Sequence, residues 1–380
     1  MKYQDFSNFV ELWQRLDWDH FALALRSKTA ADVERALSRQ TRNLSDFMAL
    51  ISPAAEAYLE EMAQIAQRLT RQRFGNTVNF YLPLYLSNVC NNDCTYCGFS
   101  MHNRIKRKIL DEAEIAAECA AIQKLGYRSL LLVTGEHQQK VGMDYFRQIL
   151  PQIRPHFSTL QMEVQPLGEA DYAELKTLGL DGVMVYQETY HSGEYAKHHL
   201  RGNKTDFAYR LATSDRLGRA GIDRIGIGVL IGLSQDWRTD LYLLAQHLDY
   251  LQHRYWQSRY SISFPRLRPC AGGVVSGSTM TERQLLQVIC AFRLFSPEVE
   301  LSLSTRESPH FRDNVIPIAI NSVSASSKTQ PGGYANPEKQ LDQFSPHDNP
   351  CPQQVADSLR KRGIQPIWKD WEGYFGRRFA

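Results

Sequence analysis

Cys90-Asn-Asn-Asp-Cys94-Thr-Tyr-Cys97 sets three thiols in a run of eight residues, spaced C-x3-C-x2-C, with Tyr96 directly before the last. Soft thiolates this close together select iron–sulfur clusters or zinc. Three of them can each ligate one iron of a [4Fe–4S] cluster, and no fourth cysteine stands nearby to close it. One iron is then left open to a small molecule. Zinc is the competing occupant. It wants four ligands, and His102, five residues past Cys97, is the available fourth.

Further along the chain, polar side chains recur where apolar runs end. Thr134-Gly135-Glu136 closes one run, Glu163 and Gln165 a second, and Gln187-Glu188-Thr189-Tyr190 a third. Arg266 and Arg268 close another, while Ser302, Ser304 and Arg306 alternate with Leu301 and Leu303. Extended backbone puts alternate residues on one face. Polar groups in an otherwise apolar strand are costly unless they face a ligand or one another. The recurrence therefore marks the lining of a cavity.

The elements that position these residues repeat. Strand-like runs fall at 78–88, 129–137, 160–166, 182–190, 224–233, 258–269, 300–307 and 318–327. Helical stretches separate them near 111–125, 142–155, 168–179, 205–220, 236–256 and 281–295. Near-continuous apolar strands divided by helices mean a parallel sheet buried on both faces. Eight such units predict an α/β chain closed as a (β/α)8 TIM-type barrel, with an open doubly wound sheet as the alternative. In such a barrel the carboxyl ends of the strands carry the chemistry. The cysteine loop and every polar group above lie at that end. Residues 1–76 predict an N-terminal helical extension, with Tyr58, Met62, Ile65 and Leu69 as one apolar stripe. Residues 77–327 form the barrel, and 328–380 a C-terminal loop and helix packing back on it.

Composition narrows the class. The 380 residues are 43% hydrophobic, enough for a large core, and the charge balance is 44 − 41 = +3. That balance predicts neither nucleic acid nor an anionic membrane as partner. No run approaches the ~18 apolar residues of a membrane span, and the first residues lack a signal-peptide core. Seven cysteines, an odd number with three clustered, do not fit a secreted disulfide framework. The expectation is a cytoplasmic enzyme.

The cysteine spacing, with Tyr96 inside it, resembles the radical S-adenosylmethionine superfamily. Longer segments are similar to the tyrosine lyases of thiamine thiazole synthesis, the 2-iminoacetate synthases. They are CNNDCTYCGFSMHNRIKRK, LLLVTGEHQQKVGMDYF, MEVQPL, GLDGVMVYQETYH, SFPRLRPC, LSLSTRESPHFRD, SKTQPGGY, FSPHD and PIWKDWEGY. The resemblance implies a [4Fe–4S] cluster on Cys90, Cys94 and Cys97, with S-adenosyl-L-methionine chelated to the open iron. Tyr96 would lie by the adenine, and Gly135-Glu136 would contact the methionine amino group. Glu163 and Gln165 are candidates for the ribose hydroxyls or the methionine end. Gly228, inside Gly226-Ile-Gly228-Val-Leu-Ile-Gly232, reads as close approach to adenine or as tight packing. It is not a dinucleotide fingerprint, because it lies within a strand.

By the same resemblance, a 5′-deoxyadenosyl radical takes a hydrogen atom from L-tyrosine and the Cα–Cβ bond breaks. The products are 2-iminoacetate (dehydroglycine), p-cresol, methionine and 5′-deoxyadenosine. Another aromatic amino acid, such as tryptophan, is the alternative substrate. Arg306 suits the tyrosine carboxylate, because a guanidinium fork binds carboxylates bidentately; Ser304 is its helper. A salt bridge from Arg306 to Glu307 is the competing role. Tyr190 and Tyr334 are candidates for the phenol. Cys119, Cys270, Cys290 and Cys351 are scattered, unlike the second cluster of the hydrogenase-maturation tyrosine lyase. Expected partners are thiazole synthase, which would consume 2-iminoacetate, and a flavodoxin-type or NADPH-linked electron donor. The basic run Arg104–Lys108 would contact that donor, or simply be a solvated charge run.

Overall fold

The computed structural model describes residues 3–270, 273, 280–304, 306–337, 342–344 and 350–369. Of the segments that carry the resemblance, Thr305 of LSLSTRESPHFRD, residues 345–348 of FSPHD and 370–374 of PIWKDWEGY lie outside the described residues.

Eight strands close a barrel: β1 (Thr77–Ser87), β2 (Ser129–Thr134), β3 (Thr159–Glu163), β4 (Gly182–Met184), β5 (Arg224–Gly228), β6 (Arg259–Ser263), β7 (Glu300–Leu303) and β8 (Ser322–Ser324). Each pairs in parallel with its successor, and β8 returns to β1 with Asn79 opposite Ser322. The sheet is therefore closed, and the open alternative is excluded.

Alternation along β1 explains how one strand serves two environments. Phe80, Leu82, Leu84 and Leu86 point outward into the main core, while Tyr81 and Tyr85 point into the barrel. On β2, Leu130 and Leu132 join the outer core and Leu131 and Val133 the inner one. The inner apolar cluster is small: Tyr85, Phe99, Leu131, Val133 and Met184, with Cys90 and Cys97 packed against it.

Several strands stop earlier than the apolar runs suggest. β4 ends at Met184 and β8 spans only Ser322–Ser324. Beyond Met184 the chain keeps only an isolated parallel bridge, Glu188 to Val229, as its side chains turn to the cavity. Ile318 and Ala319 end a helix, Pro309–Ala319, that the apolar pattern disguised as strand. Ser308 caps it, its hydroxyl accepting from the Phe311 N–H at 3.1 Å. The expected 205–220 helix divides into Phe207–Leu211 and Thr213–Arg219.

The N-terminal region is helical and packs on the outside of the barrel. Its helix Leu44–Ile51 is capped by Asn43, and Phe47 meets Phe292 and Phe295 at ring distances of 4.7 and 5.2 Å. Gln287, from helix Glu282–Phe295, donates to the carbonyls of Leu50 and Ser52 at 2.9 Å. Helix Leu59–Phe74 ends at Gly75 (φ 65°), and β1 begins two residues later. The C-terminal region holds helix Pro352–Lys361 and a ninth strand, β9 (Gln365–Ile367). β9 pairs in parallel with Thr77–Asn79. Asn79 faces both β8 and β9, so β9 lies on the β2 side of β1, beneath the point where β2 joins at Leu82. No described helix is long and apolar enough to cross a membrane.

Candidate active site

The loop after β1 carries the three thiols to the mouth of a cavity of about 1670 Å³, counted out to its open end. Arg107 holds this loop from inside. One of its nitrogens donates to the carbonyls of Asn88 and Phe99, both at 2.8 Å, and the other to those of Ser100 (2.6 Å) and Asn103 (3.2 Å). Lys108 pairs with Glu114 at 2.7 Å. Within the expected basic run only Arg104 and Lys106 are exposed; Arg107 and Lys108 serve the loop and the helix beside it. Asp93–Cys94 forms a short antiparallel pair with His199–Arg201, which fixes Cys94 from the other side. His102 turns to Asp93, Nδ1 to carboxylate 2.7 Å.

Burial pushes the Cys90 thiol up to about 11, helped by Glu136 and Cys97, and raises Cys94 and Cys97 as well. Each of the three feels another of the set or its neighbours electrostatically, so the thiols stand together as protonated, buried donors. Metal binding displaces those protons and removes the cost of burying thiolate charge. Among the described residues no three His, Cys, Asp or Glu side chains meet at one point as ligands of a single ion do. A [4Fe–4S] cluster makes a different demand, one thiolate to each iron, and three thiols lining one cavity fit it. The Asn92 N–H approaches Cys90 Sγ at 3.4 Å and the Gln343 amide approaches Cys97 Sγ at 3.7 Å. Such contacts stabilise sulfur charge.

On one side of the thiols lies a wall of paired charges. Gly135 brings the chain close enough that a Cβ there would sit 2.4 Å from the Val89 carbonyl oxygen. Glu136 follows it. Its carboxylate accepts from Asn92 at 2.8 Å and Arg210 at 3.0 Å. Glu188, in the left-handed region at φ 73°, pairs with Lys204 at 2.6 Å and Arg210 at 3.6 Å. Burial alone would raise both carboxyls; Arg210 and Lys204 outweigh it and hold both below the ordinary value. Tyr96 reaches His199 Nε2 at 2.7 Å, with the Lys204 ammonium 5.6 Å from its ring centre. Burial depresses His199 to about 2, so this imidazole is neutral.

The opposite wall comes from β6, β7 and the C-terminal segment. Glu307 pairs bidentately with Arg266, so it does not take Arg306. The Arg306 guanidinium instead lies 3.7 Å from the Phe344 ring centre, with one long hydrogen bond of 3.4 Å to the Arg266 carbonyl. Ser304, whose hydroxyl accepts from the Arg306 N–H at 3.4 Å, lines the cavity beside it. The SKTQPGGY loop fastens the Phe344 segment: the Thr329 hydroxyl donates to the Phe344 carbonyl at 2.9 Å, and the Thr329 carbonyl accepts from Gln343 N at 2.9 Å. Glu163, at the end of β3, faces the same cavity. Burial and then Glu188 raise its carboxyl to about 7 against Arg306, Lys204 and Arg210.

Cys90, Cys94, Cys97, Tyr96, Gly135, Glu136, Glu163, Ser304 and Arg306 thus line one cavity. Four other expected residues lie elsewhere. The Tyr190 hydroxyl is buried against His247 Nδ1 at 2.8 Å, behind β4. Gln165 donates to the Val141 carbonyl at 2.9 Å and borders a neighbouring polar cavity. A Cβ at Gly228 would sit 2.9 Å from the Tyr186 ring and 3.1 Å from the Ser263 carbonyl oxygen, so the glycine serves tight packing. Tyr334 donates to the Pro83 carbonyl at 2.7 Å. Asn92, Lys204, Arg210 and Phe344 escaped the sequence reading. Lys204 and Arg210 follow the short helix Ser192–His198 and sit in polar sequence with no strand pattern to flag them.

A parallel barrel with three thiols at its carboxyl-end mouth, beside a charged wall, defines the class of radical S-adenosylmethionine enzymes. The Radical SAM superfamily model matches residues 84–245, and the Biotin and Thiamin Synthesis associated domain matches 263–365. The sequence is 68% identical to a 2-iminoacetate synthase of Escherichia coli over 97% of this chain and 98% of that protein. It is 67% identical to one of Salmonella typhimurium over the same shares. The chain belongs to the 2-iminoacetate synthase family. Among solved structures it is similar to HydG, a maturase of the [FeFe]-hydrogenase, with TM-score 0.89, 28% identity and coverage of 94% of this chain and 82% of that one. Methylornithine synthase shares the fold at TM-score 0.70 and 20% identity, over 88% of this chain and 97% of that one.

Proposed function

We propose that the chain cleaves the Cα–Cβ bond of L-tyrosine to 2-iminoacetate and p-cresol, as a carbon–carbon lyase supplying the thiazole moiety of thiamine. Its cofactors are a [4Fe–4S] cluster and S-adenosyl-L-methionine. Bound together and reduced, they supply one-electron cleavage and a hydrogen-abstracting carbon radical, ending as methionine and 5′-deoxyadenosine. Everything else falls to the protein. Cys90, Cys94 and Cys97 hold the cluster. Tyr96, Gly135 and Glu136 receive S-adenosylmethionine, with Asn92, Lys204 and Arg210 fixing Glu136 and its surroundings. Leu131, Val133 and Met184 give the inner wall an apolar surface that excludes water from a reactive intermediate.

The observation that carries the substrate reading is Arg306: a half-buried guanidinium, facing the thiols' cavity, with no carboxylate on it among the described residues. It binds the tyrosine carboxylate, and Ser304 steadies it. 2-Iminoacetate hydrolyses readily, which favours direct transfer to thiazole synthase. The exposed pair Arg104 and Lys106 offers an acidic electron donor, flavodoxin-type or NADPH-linked, a contact next to the cysteine loop.

The test is anaerobic: reconstitute the cluster, add S-adenosylmethionine, reductant and L-tyrosine, and measure p-cresol. Formation of p-cresol and 5′-deoxyadenosine together is expected. 5′-Deoxyadenosine without p-cresol, or turnover on tryptophan in place of tyrosine, overturns the assignment.

A further inference from the structure

Four carboxylates line the main cavity: Glu136, Glu163, Glu188 and Glu307. Three are committed. Glu136 accepts from Arg210, Glu188 from Lys204, and Glu307 from Arg266. The Glu163 carboxylate makes no hydrogen bond or ion pair with a described residue, although it lines the cavity at the end of β3. β3 and β7 are four places apart in a ring of eight, so Glu163 and Arg306 face each other across the mouth. A tyrosine zwitterion carries one carboxylate and one ammonium on the same carbon, Cα. Arg306 answers the first, and the one uncommitted carboxylate among the described residues of the cavity stands opposite it.

We infer that Glu163 receives the α-ammonium of the substrate, so that the site selects an intact amino acid and not merely a phenol carrying a carboxylate. This rests on the tyrosine reading above and moves Glu163 from the cofactor, where sequence put it, to the substrate. The charges around it agree. Glu163 is surrounded by Tyr81 and Tyr85 from β1, Tyr186 and Glu188 after β4, Lys204 and Arg210 from the segment before β5, and Arg306 after β7. Burial and Glu188 raise its carboxyl to about 7. An arriving ammonium replaces lost solvation and favours the charged form.

The experiment compares L-tyrosine with 3-(4-hydroxyphenyl)propanoate, which lacks only the amino group, by calorimetry on the reconstituted holoenzyme without reductant. The wild type should prefer tyrosine by about 10–100-fold, the worth of one charged hydrogen bond. Glu163→Gln should shrink that preference to a few-fold while S-adenosylmethionine affinity holds. Should the variant fail to fold, the wild type still decides: tyrosine affinity should rise from about pH 6 to about pH 8 as Glu163 ionises, and that of the deamino analogue should not. An unchanged preference in Glu163→Gln, or a pH-independent preference in the wild type, overturns the inference. So does a loss of S-adenosylmethionine affinity with tyrosine preference intact. If the wild type makes p-cresol while the preference survives substitution, this inference alone fails. If the wild type makes none, the tyrosine reading fails and takes the inference with it.

Discussion

The wall of Glu136, Glu188, Lys204 and Arg210 and the pair of Glu163 and Arg306, which face each other across the mouth with Ser304 beside Arg306, bury charge in opposite ways. On the first, two acids and two bases are already paired, with Arg210 bridging both carboxylates. Burial costs there are offset before any ligand arrives. On the second, a guanidinium rests on the face of Phe344 and a carboxyl drifts toward neutrality. The first wall is a finished surface against which a cofactor is laid. The second is completed by its ligand, and so it discriminates among ligands.

The cysteine loop serves both, and its loss should cost most. Cys94→Ala should abolish both the brown colour of the reconstituted protein and p-cresol formation; retention of either would break the account of the thiols. Arg210→Ala should come next, because it takes the ion pair from the buried Glu136 and leaves Glu188 with Lys204 alone. The expected loss is about 3–5 kcal/mol of stability in chemical denaturation, together with weaker S-adenosylmethionine binding. A variant as stable as the wild type would show that the paired wall is not held by pairing. The smallest effect should come from Tyr190→Phe, which removes only the bond to His247. About 1 kcal/mol of stability should go, with p-cresol turnover retained. Normal stability with lost turnover would return Tyr190 to the chemistry.

Much of this was legible in sequence because it follows local rules. The thiol spacing is contiguous, the strand parity of Ser302, Ser304 and Arg306 is a period of two, and the eight apolar runs announce the barrel. What was hidden is non-local. Glu307 could have taken Arg306 by sequence distance, and only the fold hands it to Arg266. Lys204 and Arg210 carry no periodic signal, since a segment between barrel strands swings them over the mouth. Tyr190 ends an apolar run as Glu188 does, yet it points behind the barrel: the run leaves the strand after Met184, and strict alternation stops with it. β9 is three residues long and pairs with the start of β1, too short for any pattern to show.

The division of labour between the paired wall and the Glu163–Arg306 pair is tested most directly by measuring L-tyrosine and S-adenosylmethionine binding side by side in Arg306→Ala, reconstituted anaerobically. The expected result is tyrosine affinity reduced by about 10–100-fold with S-adenosylmethionine affinity unchanged. Equal losses for both ligands, or none for tyrosine, would contradict it.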